Sequence, residues 1–358
     1  NVITTGAISI APNQVITADS NGNIYFWNGK KSTNFIEKAH STTITALIRR
    51  SHICGTNSFI SASADCIKIW NSNIIERTLV LNDYLNKLKI PILKNGMTSI
   101  SSISVDSSLK RMLLGINSSS TAVIEIAVDS NSLYLLTEGN VGNDLTLLSN
   151  PNDPYQFITG SNTGILKLWN RTVKGNKCIQ RHELDEPITE IRWVPNGEFL
   201  AVATFKFVEE NVDNLNSASI LFLTINNCKM NVINKLGINN CGSVTYIRFT
   251  GDGNILAVST NCGSIFIYDR EEKTKYSYVG RIYVTSIQCG MDFSDDNRFL
   301  RTFSKVEYLS NDKGDELSIS APAEIHFFDL KASGVDEGTV GRELTSADSK
   351  KITARKKV

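Results

Sequence analysis

The sequence predicts an all-β chain folded as a seven-bladed β-propeller of four-stranded antiparallel blades. Two observations predict it. In the stretch Ser58 to Asn71 (SFISASADCIKIWN), Phe59, Ser61 and Ser63 alternate with Ile60, Ala62 and Ala64, the period-two pattern of a strand. Asp65 and Cys66 occupy a tight turn, and Ile67 to Trp70 form a second strand ending in Trp-Asn. Strand, acidic turn, strand and Trp-Asn together make the inner hairpin of a propeller blade. The second observation is recurrence. NGNIYFWN ends at Asn28, CIKIWN at Asn71 and GILKLWN at Asn170, and AVIEIA, SILFLT, GSIFIYD and EIHFFD repeat the shape without Trp. The marks fall at Trp27, Trp70, Ile126, Trp169, Leu223, Tyr268 and Phe328, at intervals of 43, 56, 43, 54, 45 and 60 residues. A blade of this kind takes about 40–45 residues, and loops absorb insertions.

Each element follows in order. Asn1 to Thr5 (NVITT) is β-prone and reads as a closing strand, the outermost strand of the last blade donated by the N-terminus; closure removes open sheet edges. GAISIAP, QVITADS and NIYFWN make blade one, with Asn21-Gly22 supplying positive φ angles for a hairpin turn. Blade two runs from about Thr42 to Val80. Asn82 to Asn95 is a connecting loop, its helical potential limited by Pro91. Blade three (SISSISVD, RMLLGIN, AVIEIAVD) is the least regular, and blade four is DLTLLSNP, QFITGSNTG and ILKLWN. Blade five opens with ITEIRWVPNGEFLAVATF, where Trp193 lies on the first strand as a packing residue, and VEENVDNLNS (208–217) replaces a tight turn with an acidic loop. Blade six is VTYIRFTGDGNILAVSTNCGSIFIYD. Blade seven is VTSIQCGMDFSDDNRFLRTFS, a long insertion from Lys305 to Pro322, then EIHFFD; Asp295 and Asp296 read as a turn between strands, not a metal site. Residues 1–330 thus read as one propeller. Residues 331–358 read as a polar basic tail or closing strand.

Composition bounds the function. The 358 residues carry 37 Lys plus Arg against 36 Asp plus Glu, and a net charge of +1 argues against a general nucleic-acid binder. No run of about 18 apolar residues exists, so no membrane span is expected. The seven Cys are scattered, odd in number and free of C-x-x-C, which suits a reducing compartment. The chain starts at Asn1 without a signal-peptide profile and reads as a fragment of a longer protein. The four His (His40, His52, His182 and His326) show no metal-ligand spacing, and neither G-x-S-x-G nor a phosphate-binding loop occurs. No catalytic residue, metal or cofactor is expected.

The hairpin of blade two resembles WD repeats, in which a His before the first strand, a Ser or Thr in the second, an Asp in the turn and the Trp form a buried hydrogen-bonded set. The resemblance implies His40, Ser61 or Ser63, Asp65 and Trp70 for that set, each buried polar group satisfying another. Both serines point to one face, so the choice between them stays open. A catalytic His-Asp-Ser reading is the alternative, but the spacing matches the structural set and no oxyanion motif accompanies it.

The order of motifs is more specific. QVITADSNGNIYFW followed by AHSTTITAL resembles the start of a propeller in the echinoderm microtubule-associated protein-like family, ILAVSTNCGSIFIYD its sixth hairpin, and MDFSDDNRFLRTFS followed by EIHFFD its next one, in the same order over residues 6 to 330. The Gly-His before a first strand is here Ala39-His40, Gly139-Asn140 or Gly280-Arg281, and the family's Leu-Trp is Leu145-Thr146. The resemblance implies a noncatalytic cytoplasmic and cytoskeletal scaffold that binds tubulin or microtubules. It also implies oligomerisation through regions outside this chain. Tubulin's acidic surface would favour basic contacts. Lys350, Lys351, Arg355, Lys356 and Lys357 are the densest such cluster, and Lys87, Lys89 and Lys94 a weaker one. A WD-repeat adaptor for other proteins, without tubulin contact, is the second reading, with Glu209 to Asp213 as an equal contact candidate.

Overall fold

The computed structural model describes residues 4–11, 14–29, 31–49, 58–64, 66–80, 99–105, 111–117, 121–128, 132–138, 146–172, 175–206, 217–239, 241–284, 288–294, 296–304, 307–310, 317–321, 325–330 and 342–343. Blade one is β1 (Thr4–Ala11), β2 (Gln14–Asp19), β3 (Ile24–Asn28) and β4 (Lys31–Ile36). Blade two is β5 (Ile44–Arg49), β6 (Ser58–Ser63), β7 (Cys66–Asn71) and β8 (Ile74–Val80). Blade three is β9 (Ser99–Val105), β10 (Arg111–Asn117), β11 (Thr121–Ala127) and β12 (Ser132–Glu138). Blade four is β13 (Thr146–Ser149), β14 (Gln156–Gly160), β15 (Ile165–Thr172) and β16 (Gly175–Glu183). Blade five is β17 (Ile188–Trp193), β18 (Leu200–Lys206), β19 (Ser217–Asn226) and β20 (Lys229–Asn239). Blade six is β21 (Val244–Phe249), β22 (Ile255–Thr260), β23 (Ser264–Glu272) and β24 (Lys275–Tyr283). Blade seven begins with β25 (Gln288–Phe293) and β26 (Phe299–Ser304). A separate hairpin, β27 (Glu307–Ser310) with β28 (Leu317–Ala321), then intervenes before β29 (Ile325–Asp329) and β30 (Arg342–Glu343) complete the blade.

Every blade is an antiparallel sheet in the order first, second, third, fourth strand. The first strands touch in succession, β1 to β5, β9, β13, β17, β21 and β25, and β25 touches β1. That circuit closes the ring and makes the structure a seven-bladed β-propeller. All seven sequence marks lie on third strands, and each pairs with the second strand at the same register: Trp27 with Val15, Trp70 with Phe59, Ile126 with Met112, Trp169 with Phe157, Leu223 with Leu200, Tyr268 with Leu256, Phe328 with Leu300. The repeat is therefore geometric as well as compositional.

Burial grades outward. Second strands such as β6 and β14 are buried at every position, because neighbouring blades cover both faces, while β4 and β8 are mostly exposed. The apolar core divides into clusters that each join two neighbouring blades, one for each of the seven seams.

Three blades share a turn between second and third strands. Asp19 to Asn23, Ser161 to Ile165 and Thr260 to Ser264 each enclose three loop residues ending in Gly22, Gly164 and Gly263, at φ of 81°, 77° and 74°. The Asn21-Gly22 turn is thus a three-residue loop with only the glycine in the left-handed region, not a two-residue turn with both. A Cβ at Gly22 would lie 2.1 Å from the His40 carbonyl oxygen. The connectors to the next blades sit on these glycines: the amides of His40, Leu184 and Val284 donate to the carbonyls of Gly22, Gly164 and Gly263 at 3.0, 2.8 and 2.9 Å.

The N-terminal expectation is corrected. Asn1 to Ile3 lie outside the described residues, and Thr4–Ala11 is the innermost strand of blade one, paired with β2, and not the outermost strand of blade seven. The alternation of GAISI explains it, since Ile8 and Ile10 belong with the cluster between blades one and two. The outer strand of blade seven comes instead from Arg342–Glu343, which pairs with Phe328 and Asp329. Blades seven and one meet through side chains: Val15 and Phe303 with Ala7 and Trp27, and the Ser9 amide donating to Asp292 Oδ2 at 3.1 Å. The loops 82–95 and 208–216 lie outside the described residues.

Phe303 is 2% exposed and is the largest buried residue of this closing seam. Phe303→Ala is expected to cost about 3–5 kcal/mol in urea unfolding. A loss below about 1 kcal/mol would show that the seam does not depend on it.

Candidate functional site

The blade-two set is assembled by three elements. His40 lies on the connector before β5, Ser61 and Ser63 on β6, and Trp70 on β7. All are at most 1% exposed. His40 Nε2 is 2.6 Å from Ser61 Oγ, and Nδ1 is 2.9 Å from Ser63 Oγ. Trp70 Nε1 donates to Ser61 Oγ at 2.8 Å, and Ser63 Oγ donates to the Cys66 carbonyl at 3.5 Å. One proton order serves every member: indole N–H to Ser61, Ser61 hydroxyl to Nε2, Nδ1–H to Ser63, Ser63 hydroxyl to the carbonyl. Both serines take part, at opposite ends of one imidazole, so the choice between them dissolves. Phe59 stacks on Trp70 with ring centroids 5.5 Å apart at 2°. Asp65 lies outside the described residues.

Burial decides what this arrangement can do chemically. A serine nucleophile must meet a substrate carbonyl, and these hydroxyls sit inside a packed seam. The set holds the connector, the second strand and the third strand together. Among the described residues no group of three or more His, Cys, Asp or Glu is placed to hold a metal ion, and no helix is long and apolar enough to cross a membrane.

Other blades keep part of the set. Trp27 Nε1 donates to Thr17 Oγ1 and Trp169 Nε1 to Thr159 Oγ1, both at 2.9 Å, in the register of Trp70 and Ser61. In blade five the corresponding residues are Leu184, Val202 and Leu223, all apolar and packed in one cluster. Blade seven is mixed: Val284 and Phe328 are apolar, yet Thr302 occupies the acceptor position. Its buried Oγ1 has no partner among the described residues.

The inner rim contains charges that the sequence reading did not single out. Arg192 on β17 and Arg248 on β21 share a register, paired with Ala201 and Ala257. Arg248 Nε donates to the Met291 carbonyl at 2.8 Å, and its NH1 reaches the Ile247 carbonyl at 2.7 Å and Glu190 Oε1 at 3.3 Å. Asp292, at the same register on β25, accepts from Arg301 Nε at 3.0 Å and from the Ser9 amide. Burial pushes the Asp292 carboxyl up, against the opposing pull of Arg301. The positive charge of Arg248, together with burial, lowers Arg192 to about 10. The signal was present in the repeated I/V-T-x-I-R-aromatic pattern of residues 188–193 and 244–249.

Arginines also clamp the outer parts of the seams. Arg171 of blade four pairs with Glu125 of blade three at 2.5 Å, Arg111 donates to the Pro154 carbonyl at 3.0 Å, and Arg270 pairs with Glu198 at 3.0 Å. Lys350, Lys351, Arg355, Lys356 and Lys357 lie outside the described residues, as do Lys87, Lys89, Lys94 and residues 209–213.

No family model matches the chain. The chain is 24% identical over 298 residues to the echinoderm microtubule-associated protein-like protein elp-1 of Caenorhabditis elegans, covering 80% of this chain and 29% of that protein. The chain is a seven-bladed β-propeller similar to the echinoderm microtubule-associated protein-like proteins. The chain spans less than a third of the length of this relative. Among solved structures, the β-propeller domain of Cps50 (Swd1) from Myceliophteria thermophila superposes with a TM-score of 0.62 at 14% identity, covering 84% of this chain and 92% of that one. U3-55K gives 0.59 at 12% identity, with 86% and 90% covered. These two structures speak for the fold alone.

Two outcomes test the polar sets. Ser61→Ala removes the hydroxyl that both the Trp70 indole and His40 Nε2 meet, and is expected to cost about 2–3 kcal/mol in urea unfolding, more than Ser63→Ala. Equal losses would refute the bridging role. Thr302→Val removes an unpaired hydroxyl and is expected to be neutral or stabilising by up to about 1 kcal/mol, whereas Thr159→Val strands the Trp169 indole and is expected to cost about 1–2 kcal/mol. A loss at position 302 matching that at 159 would mean that the Thr302 hydroxyl is satisfied.

Proposed function

We propose that this chain is a noncatalytic binding scaffold that contacts microtubules, acting in the cytoplasm on the cytoskeleton. The observation that carries the reading is the match to the microtubule-associated protein-like relative across 80% of the chain. The propeller is consistent with it. Its hairpin loops form wide faces, and its conspicuous His-Ser-Trp set is sealed in a seam where it can only hold strands together. The basic cluster Lys350, Lys351, Arg355, Lys356 and Lys357 is the proposed electrostatic contact with an acidic tubulin surface.

One observation favours the second reading, an adaptor for another protein. The outer strands of blades five and six expose Val232, Ile233, Tyr278, Val279 and Tyr283, each by at least 44%. Exposed apolar side chains of this size offer contacts to a protein partner.

Cosedimentation with polymerised microtubules across a salt series separates the readings. Pelleting is expected to weaken with salt, and to fall severalfold when the five basic residues are replaced by Gln. Salt-sensitive pelleting unchanged by the replacements would keep tubulin and move the contact onto the blades. A folded chain that stays in the supernatant at low salt would sink the microtubule reading in favour of the adaptor.

A further inference from the structure

The inner rim between blades five and six holds a cation that the fold does not use. Among the described residues the Arg192 guanidinium makes no hydrogen bond or ion pair, although it is half-buried on an innermost strand. Among the described residues its charged neighbours are Arg248, which repels it, and Glu190. Glu190 is engaged with Arg248 at 3.3 Å. The next carboxylate around the rim, Asp292, is taken by Arg301 and the Ser9 amide. Arg192 and Arg248 therefore face one carboxylate between them, Glu190, whose hydrogen bond goes to Arg248. A guanidinium offers five donors in a planar fork that matches a carboxylate or phosphate. Keeping that fork beside a like charge opposes folding unless something compensates it.

The rest of the site is fixed. Arg248 is held on three sides by the Met291 and Ile247 carbonyls and Glu190, so it cannot swing away from Arg192. Both arginines sit on the part of the ring where neighbouring first strands touch, on rigid backbone instead of on loops. Two positive groups preorganised at one register, one with all its donors unspent, form a receptor for an oxyanion.

We propose that the inner rim between blades five and six binds an oxyanion, a phosphate or a carboxylate, with Arg192 as its principal donor and Arg248 as the second positive wall. A phosphate group would come from a small phosphorylated molecule, a carboxylate from an acidic group presented to the ring. The site is independent of the microtubule contact and involves none of the C-terminal basic residues.

Thermal unfolding of the full chain tests it, in inorganic phosphate, acetate or chloride at matched ionic strength and pH. Phosphate is expected to raise the midpoint by about 1–3 °C over chloride once it exceeds its dissociation constant several-fold. Arg192→Gln is expected to abolish that rise, and Arg192→Lys to keep part of it. A matching rise in acetate extends the site to carboxylates; a rise in phosphate alone restricts it to phosphates. Arg192→Gln carries a second readout. In chloride it is expected to unfold at or above the temperature of the unaltered chain, because it removes a like-charge contact and breaks no bond. No anion-specific rise would overturn the proposal, and so would a rise that persists in Arg192→Gln. A lower midpoint for that variant in chloride would overturn it too, since Arg192 would then have a partner within the protein.

Discussion

Packing of one blade against the next is the interaction on which the rest of this structure depends. A four-stranded sheet with two apolar faces has no core of its own. Its second and third strands become an interior only when a neighbour covers each face. The clusters obey this rule at every seam: Ile60 and Ile69 meet Met112 and Leu114, Ile158 and Leu168 meet Ile191 and Val202, Phe222 meets Phe249 and Tyr276. The exposed fourth strands follow from the same geometry, since blades diverge outward and leave the periphery uncovered. Arginine clamps such as Arg171 on Glu125 lie across the seams and add direction to contacts that are otherwise nonspecific.

The polar set of blade two is best understood against blade five. The same three positions hold His40, Ser61 and Trp70 in one and Leu184, Val202 and Leu223 in the other. Both solutions are complete. In one, each buried donor meets an acceptor; in the other, nothing polar remains to satisfy. The connector amide reaches the turn carbonyl in both settings, so the backbone lock survives the exchange of side chains. Blade seven stands between them, apolar at Val284 and Phe328 but still carrying Thr302. A half-converted set is costlier than either end state, because a buried group without a partner keeps its desolvation penalty.

What the sequence made legible was local. Period-two alternation placed the second and third strands, and the marks from Trp27 to Phe328 all fell on third strands at one register. The His40, Ser61, Ser63 and Trp70 grouping was legible through the resemblance of its hairpin to WD repeats, whose set falls within one short stretch of chain. The rim arginines were not, although Arg192 and Arg248 occupy matching motifs. Their relation to Glu190 and Asp292 runs between blades, and alternation within a strand carries no information about a neighbour 40 or more residues away. The outer strand of blade seven escaped for the same reason. Two residues, Arg342–Glu343, are too few to form a pattern, and only the edge of β29 selects them.

The seam between blades seven and one has a temporal meaning. The Ser9 amide and Asp292 are 283 residues apart, while most other bonds between blades join segments within about 70 residues. Each internal seam can form as soon as the next blade exists, so order can spread along the chain in short steps. The last seam cannot. The inward faces of Ala7, Val15 and Trp27 must wait, uncovered on one side, for Phe303 to arrive. The small Ala7 on the waiting strand suits that interval, because it offers stray chains little to hold before the ring is complete.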